Sequence, residues 1–232
     1  MGDAAAQLIL NATEVRVVGS LIEKQVTTPE YYPLTLNALL HACNQISNRD
    51  PVVAYDEKTV AWALESLRDK KLVREVNTAD GRVPKYRHVL DEHLGLKSAA
   101  MAVMCVLMLR GAQTVGEIRG RAERLYPFSA LSFVETTLED LMNREPPLVF
   151  KLPRQTGQKE ARFAHLLAGE VKLEDLPLTA STSTATPRVG PAIAEVRAEN
   201  ERVSKLEGEV VDLRQELAEL RRQFEEFKRQ FD

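Results

Sequence analysis

The spacing of apolar and polar residues is most regular between residues 59 and 90, where it predicts a helix followed by a hairpin. The helical part has apolar residues three and four positions apart, which is typical of an amphipathic helix with one buried face. Those residues are Val60, Ala63, Leu64 and Leu67. The residues that follow form two runs of β-forming side chains, separated by a turn that contains Gly81. The stretch therefore predicts a helix that leads into a two-stranded antiparallel ribbon.

The same pattern occurs a second time, in residues 133–167. The aligned positions are Val60 with Val134, Leu64 with Leu138, Leu67 with Leu141, Tyr86 with Phe163 and His88 with His165. Two copies of one pattern predict two similar domains. A helical bundle whose last helix leads into a basic β-hairpin is the winged form of the helix-turn-helix. We therefore predict a mainly α protein with small β-wings, built from two tandem winged helix-turn-helix domains and a C-terminal coiled-coil helix.

Helix-start signals place the other elements. Thr13, Thr35 and Thr114 are predicted N-caps, because their side-chain oxygens can accept from the free N–H groups of a first turn. Asp56 or Glu57 is expected to open the third helix of the first domain. A helix that starts at Ser98 is apolar around most of its circumference, so we expect it to be largely buried.

The C-terminal quarter of the chain has a different composition. Residues 1–94 and 95–170 are predicted to be the winged-helix domains, and residues 171–192, rich in Thr, Ser, Ala and Pro, a disordered linker. Residues 193–232 repeat apolar side chains in a heptad, and pairs of opposite charge flank it, which favours a parallel coiled-coil homodimer. Packing of this helix against its own chain stays open as an alternative. The heptad residues are Val203, Leu206, Val210, Leu213, Leu217, Leu220, Phe224 and Phe227.

A dense motif in the first half carries a family resemblance. The segment LIEKQVTTPEYYPLTLNALLHACNQISNRDPV, followed by ALESLRDKKLVREV and KYRH, closely resembles the YceH family of bacterial proteins. The match is strong over residues 15–90 and looser beyond them. The resemblance implies a pair of winged-helix domains and brings no catalytic residues with it. This chain has Ile46 where the family is expected to carry Lys, which removes one possible phosphate contact.

Charge and cysteine content restrict the class of protein. The formal net charge is -3, so a basic surface for nucleic acid has to be local. Cys43 and Cys105 lie inside apolar helical patterns, which argues against a disulfide framework and fits a reducing compartment. The N-terminus does not resemble a signal peptide, and no run of about 20 apolar residues is present. We expect a cytoplasmic protein without a membrane partner.

The polar run between the second and third helices is the first candidate nucleic-acid site. At a helix-turn-helix corner such side chains can meet phosphates or base edges, with Arg49 as the preferred contact. Its guanidinium can clamp a phosphate or a carboxylate with two hydrogen bonds. Capping of the two adjoining helices explains the same residues equally well. The candidates are Asn44, Gln45, Ser47, Asn48 and Arg49.

The predicted ribbons and the helices beside them supply the other basic candidates. In the first domain they are Lys58, Arg74, Arg82, Lys85 and Arg87. These charges can contact a DNA backbone, or they can protect a hairpin edge from strand pairing. In the second domain, contacts to the backbone alone are predicted for Arg119, Arg121, Arg124, Arg154 and Lys159. The third helix of that domain has Glu135, Glu139 and Asp140 but no Lys or Arg, so phosphates would repel it.

Catalytic chemistry is not predicted. Cys43 is interpreted as a buried structural thiol, because His41, two positions away on the helix, points to another side. The four histidines have no metal-ligand spacing, and no nucleotide-binding glycine motif occurs, so no metal or cofactor is expected. Two hypotheses remain. One is a dimeric regulator or nucleoid-type protein that binds duplex DNA through its first domain, and the other is a scaffold whose winged helices bind a protein partner.

Overall fold

The computed structural model describes residues 8–76, 83–154 and 160–169, which fold mainly as helices with two small antiparallel sheets. We call residues up to 94 the first repeat and residues 95–169 the second repeat. The first repeat contains α1 (Ala12–Thr27), a short 3-10 helix (Pro29–Tyr31), β1 (Leu34–Thr35), α2 (Leu36–Cys43), α3 (Glu57–Asp69), β2 (Val73–Val76), β3 (Lys85–His88) and α4 (Leu90–Leu94). The second repeat contains α5 (Ser98–Arg110), α6 (Val115–Ala122), α7 (Leu131–Met142), β4 (Val149–Lys151) and β5 (Phe163–His165).

Both predicted strand pairs are present as antiparallel ribbons. In the first repeat β3 lies between β1 and β2, and Val73 is opposite His88. In the second repeat β4 pairs with β5, and Val149 is opposite His165. The two histidines that the sequence alignment equated therefore occupy the same register position at the base of their ribbons.

The helix starts agree with the predicted caps in three places and differ in two. One difference is at α5, where the predicted cap Ser98 is the first helical residue and the N-cap is Lys97. Thr35, Asp56 and Thr114 each accept a hydrogen bond from a backbone N–H in the first turn of their helix. The prediction for Thr13 is wrong, because α1 is capped by Asn11. The Asn11 side chain accepts from Glu14 N at 2.9 Å, and the Glu14 carboxylate accepts from Asn11 N at 2.7 Å. This reciprocal capping box starts the helix earlier in the sequence.

The two repeats pack together through α1 and α5, and one continuous cluster of buried apolar side chains extends through both. Gly19 lies at the crossing of these helices. A Cβ atom built at Gly19 would lie 2.9 Å from Leu109 Cδ2 and 3.3 Å from Met108 Cβ, so only glycine fits without rearrangement. Backbone hydrogen bonds also join the repeats, from Leu10 N to Leu167 O at 2.7 Å and from Asp50 N to Leu109 O at 2.9 Å.

Burial on several sides explains why two helices have unusual patterns. Residues 14–22 of α1 are all buried, because α1 packs against α2, α3 and α5 at once. In α5, residues 101–109 are buried as well, as its apolar composition predicts. The paired first helices are therefore the centre of the molecule, with α2, α3, α6 and α7 packed around them.

Several sequence predictions fall on residues outside the described ranges. They are the linker 171–192, the coiled coil 193–232 with the heptad residues from Val203 to Phe227, and the candidate contacts Arg82 and Lys159. Within the described ranges, every helix is too short or too polar to cross a bilayer.

Candidate functional site

Arg49, the preferred contact residue in the sequence, lies inside the protein. Its guanidinium is 0% exposed and forms a two-pronged ion pair with Glu23 of α1, with Nη1 to Oε1 at 3.0 Å and Nη2 to Oε2 at 2.6 Å. Nε and Nη2 also donate to Ala42 O, at 3.2 and 2.8 Å, and Nη1 donates to Asn48 O at 2.9 Å. Every N–H of the side chain therefore has a protein acceptor.

This geometry does not support Arg49 as a nucleic-acid contact. A guanidinium recognises carboxylate and phosphate with the same pair of parallel N–H bonds, and here the carboxylate of Glu23 takes that place. Asn44 is also occupied internally. Its amide donates to Tyr55 O and accepts from Tyr55 N, both at 2.8 Å, which ties the end of α2 to the start of α3. Arg49 and Asn44 therefore hold the ends of the two adjoining helices, which is the alternative to a nucleic-acid contact that the sequence left open.

A second buried arginine was missed in the sequence. Arg16 of α1 is 4% exposed and donates from Nη1 to Cys43 O at 3.3 Å and from Nη2 to Pro51 O. Burial and the nearby Arg49 lower the pKa of this guanidinium. The two arginines thus hold the α2–α3 corner by its carbonyl groups. The one feature of the sequence that could have predicted the burial of Arg16 is its position on an otherwise apolar face of the helix.

The rest of the corner opens onto a cleft between the two repeats. Gln45 is half-buried, and its Oε1 accepts from Arg49 Nη2 at 3.0 Å, while Ser47 and Asn48 are exposed. Asn48 has a positive φ of 62° and accepts a hydrogen bond from Arg110 Nη2 of α5. This bond connects the first repeat's corner directly to the second repeat.

The cleft has a volume of about 190 Å³ and is lined by both repeats. Its floor is apolar, from α5 and the end of α6, and its rim is polar. The rim contains Glu23, Lys24, Thr27, Thr28, Gln45, Ser47, Asn48, Arg110, Arg121 and Arg124, and the floor contains Cys105, Val106, Leu109 and Leu125. The structure thereby brings Gln45, Ser47 and Asn48 together with Arg121 and Arg124, which the sequence had placed in separate sites.

Positive charge exceeds negative charge around this cleft. Among the described residues no carboxylate lies within 4.0 Å of Lys24, Arg110 or Arg124, and Arg121 has only a long 3.9 Å contact to Glu117. Glu23, the one acidic residue of the rim, is already paired with Arg49. Burial lowers the pKa of Lys24, and Arg49 and Arg124 lower it further, despite the opposing effect of Glu23. Burial and Arg121 lower the pKa of Arg110 in the same way.

The basic residues of the first ribbon are spread out and partly neutralised. Arg74 and Arg87 both pair with Glu92 of α4, at 3.5 and 3.2 Å. Lys85 is half-buried, and Lys58 is exposed on α3 beside Glu57. Such exposed pairs have little effect on stability, but they cancel much of the local field. As far as the structure describes them, the ribbon and α3 therefore do not form a continuous basic surface.

In the second repeat the predicted contacts that the structure describes divide among three places, one of which is the cleft with Arg121 and Arg124. Arg119 donates to Phe128 O at 3.3 Å and Ser129 O at 3.4 Å, which holds the chain between α6 and α7. Arg154 is exposed and lines a separate groove of about 350 Å³ beside Glu135, Glu139 and Lys151. That groove carries mixed charge, whereas the inter-repeat cleft gathers mainly cations.

The cysteines and the histidines at the base of the two ribbons lie among packed side chains. Cys43 is buried, and burial raises the pKa of its thiol to about 11, which disfavours the thiolate a nucleophile needs. Burial lowers the pKa of His88 and of His165 to about 4, so both are neutral at pH 7. Within the described ranges no group of three His, Cys, Asp or Glu side chains is placed to hold a metal ion.

Comparison with known proteins shows the family to which this chain belongs. The sequence model described as "Protein of unknown function, DUF480" matches residues 10–158. The chain belongs to this family. A UPF0502 protein of Geotalea uraniireducens is 55% identical over 204 residues, covering 88% of this chain and 90% of the relative. Similar proteins of Geobacter sulfurreducens and Opitutus terrae are 53% and 50% identical over 208 and 207 residues, which covers 89% of this chain and 91% and 84% of those relatives.

The DUF480 match places the cleft within the part of the chain that defines the family. Lys24, Arg110, Arg121 and Arg124 all fall inside residues 10–158, as do the corner and the Arg49–Glu23 pair. The heptad residues from Val203 onward fall outside that match. The family assignment agrees with the resemblance to the YceH family that the first-half motif indicated.

Proposed function

We propose that the protein is a non-enzymatic tandem winged-helix protein that binds nucleic acid through phosphate contacts in the cleft between its repeats. The winged-helix assignment is supported by element order. Each repeat has three main helices, and the third leads directly into an antiparallel ribbon. In the first repeat the short β1 adds a third strand beside β3, next to the start of α2.

One observation carries the proposal: four cationic side chains from two repeats meet around one concave site that has no unpaired carboxylate among the described residues. Lys24 comes from α1, Arg110 from α5, and Arg121 and Arg124 from α6 and its C-terminal end. Phosphate groups neutralise such clusters and release bound counterions, which gives sequence-independent affinity. The amide and hydroxyl groups of the corner add uncharged hydrogen-bond partners for the same phosphates.

The proposed contact surface therefore moves from the ribbon and the third helix of the first repeat to the cleft. On α3, Lys58 and Arg68 are offset by Glu57, Glu65 and Asp69. Arg68 is moreover paired with Glu75 at 3.1 Å. Duplex DNA approaching α3 would meet repulsion as well as attraction, whereas the cleft presents mainly attraction.

The test is duplex DNA binding over a salt series. If the cleft neutralises phosphates, the logarithm of affinity falls linearly with the logarithm of salt concentration. Lys24→Gln with Arg124→Gln removes two cations and should lower the slope by roughly 2, at about 0.9 for each lost phosphate contact. The matched control, Arg74→Gln with Lys85→Gln, removes two cations of the first ribbon and should leave the slope nearly unchanged. An affinity independent of salt would refute the proposal.

A protein scaffold is the second candidate, and one observation favours it. Trp62 is 71% exposed in the middle of α3, and Phe133 of α7 is 45% exposed. Exposed aromatic side chains are frequent anchors of protein interfaces. If Trp62→Ala abolishes partner binding while the salt slope for DNA is unchanged, the two functions use different surfaces.

The C-terminal heptads are proposed to form a parallel homodimer, which would present two clefts to one ligand. Sedimentation of the full chain against a version ending at Thr184 tests this. A shift from dimer to monomer is expected, and an unchanged oligomeric state would mean that the heptads do not dimerise the protein.

A further inference from the structure

We infer that the inter-repeat cleft selects a phosphomonoester dianion, such as the 5′-terminal phosphate of a nucleic-acid strand, over an internal phosphodiester. The inference rests on the proposed function, because it names the kind of phosphate that the same cleft binds. A free phosphorylated small molecule would offer the same dianion, and the experiment below separates these two sources.

Charge balance is the first argument. Lys24, Arg110, Arg121 and Arg124 surround one small volume, and the only carboxylate of its rim is engaged by Arg49. A diester offers a single negative charge, whereas a monoester at neutral pH carries close to two and has three free oxygens as acceptors. The dianion therefore neutralises more of the cluster and can accept from more of its donors.

Shape is the second argument. A cleft of about 190 Å³ is smaller than the roughly 300–1,000 Å³ of sites that enclose a whole small molecule, so it admits one group of a ligand. Val106 and Leu109 close its floor, and the hydrogen bond from Arg110 to Asn48 joins the two repeats across one side. A terminal phosphate brings backbone from one side only to such a small, partly open cleft, whereas an internal phosphate brings backbone past its rim on both sides.

The donor set is the third argument. Arg49 fixes Gln45 by donating to its Oε1, which leaves the amide nitrogen of Gln45 as a hydrogen-bond donor at the rim. Ser47 is exposed beside it, with a hydroxyl that can donate to another oxygen. Arg49 is thus a positioning residue: it holds Gln45 at the rim without being exposed itself.

The pH dependence follows from the ligand. The second pKa of a phosphomonoester is about 6, so the preference should be largest above pH 7 and decline toward pH 5 as the dianion gains a proton. The titratable side chains that line the cleft are Glu23 and Lys24 of α1, Cys105 and Arg110 of α5, and Arg121 and Arg124 of the α6 region. No histidine is among them.

The experiment measures fluorescence anisotropy of full-length protein with duplexes that differ only in a 5′-phosphate or a 5′-hydroxyl. The phosphorylated duplex should bind on the order of tenfold more tightly at pH 7.5, about the effect of one added charged hydrogen bond. Lys24→Gln with Arg124→Gln should remove this preference, and Arg74→Gln with Lys85→Gln should preserve it. Circular dichroism confirms that each variant is folded.

Competitors separate the sources of the phosphate. Adenosine 5′-monophosphate and inorganic phosphate should displace the phosphorylated duplex, while adenosine should not. Equal affinity for both duplexes, with a salt slope that the cleft variants reduce, would overturn this inference and keep the proposed function. Binding of the monophosphate without binding of either duplex would overturn the proposed function and keep the preference for a phosphomonoester. Failure of every probe to bind would overturn both.

Discussion

The two repeats have the same order of helices and ribbon, but they hold their corners together in different ways. In the first repeat two buried arginines, Arg16 and Arg49, fix the chain between α2 and α3. They donate to two carbonyl groups of that chain and to two at the end of α2. In the second repeat the chain between α6 and α7 is fixed by packed aromatic rings. Tyr126 and Phe128 have centroids 4.9 Å apart, and Phe133 lies 6.0 Å from Phe128.

The same difference appears at the start of each repeat. Glu14 of α1 is fully buried and accepts from Lys70 Nζ at 2.7 Å and from Ser66 Oγ at 2.6 Å. Burial opposes ionisation of Glu14, but these hydrogen bonds outweigh it and lower the pKa of the carboxyl group. The corresponding helix α5 has an apolar buried face instead. The first repeat therefore uses its charges internally.

This contrast explains where a ligand can find positive charge. Arg16 and Arg49 are satisfied inside the first repeat, so its corner offers mainly neutral donors. In the second repeat the aromatic cluster stabilises the corner, and Arg121 and Arg124 remain at the surface. The cleft combines the neutral donors and Lys24 of the first repeat with the arginines of the second.

The largest predicted effect tests the polar corner against the aromatic one. Arg49→Ala should lower the free energy of unfolding by about 3–5 kcal/mol, because it removes a fully buried guanidinium and leaves the partly buried Glu23 carboxylate without its partner. Arg119→Ala should lower it by less than about 1 kcal/mol, because its bonds to the backbone are long and partly exposed. Urea denaturation of both variants measures the difference. Equal decreases in the free energy of unfolding would mean that both corners depend on their arginine to the same extent.

The next effect concerns the equivalent histidines. The pKa of His88 falls from 6.5 to about 4 on folding, so between these pH values the unfolded state binds more protons and stability falls as pH falls. The full contribution is present above pH 6.5 and is on the order of 3 kcal/mol. Denaturation at pH 7.0, 5.5 and 4.5 measures it. His88→Gln should remove this part of the pH dependence and leave the part that His165 supplies.

Substitution of the second histidine tests whether the two repeats have the same dependence of stability on pH. His165→Gln should reduce the remaining pH dependence, because burial lowers the pKa of His165 in the same direction. If neither substitution changes the dependence of stability on pH, the histidines are not its origin.

The smallest effect tests the joint between the repeats. Gly19→Val places methyl groups against Leu109 and Met108 and should lower the free energy of unfolding by about 1–3 kcal/mol. Gly120→Ala is the control, because a Cβ atom there has no neighbour within 4 Å. Alanine should raise stability by about 0.5–1 kcal/mol through helix propensity. Thermal unfolding of the two variants compares them, and a tolerated Gly19→Val would show that the α1–α5 contact adapts.

Much of the candidate site was accessible from sequence only as separate pieces. The polar run from Asn44 to Arg49 and the arginines of α6 were both found, because polar residues between helices and on a helix surface are visible in the spacing. Lys24 and Arg110 were not assigned to the site. Both lie at the ends of helices whose apolar faces dominate their patterns, and only the crossing of α1 with α5 brings them beside the corner.

By itself the sequence determined the three main helices of each repeat, the two ribbons and their internal similarity, because periodicity and caps act over a few neighbouring residues. The short helix α4 was not predicted. The tertiary structure alone decided which charges are internal and which face solvent. The residues around Arg49 look the same in the sequence whether its guanidinium binds a phosphate or Glu23. Glu23 lies 26 residues away along the chain. The cleft likewise is lined by residues of α1 and α5, which approach each other closely at Gly19, a long-range contact that local spacing does not encode.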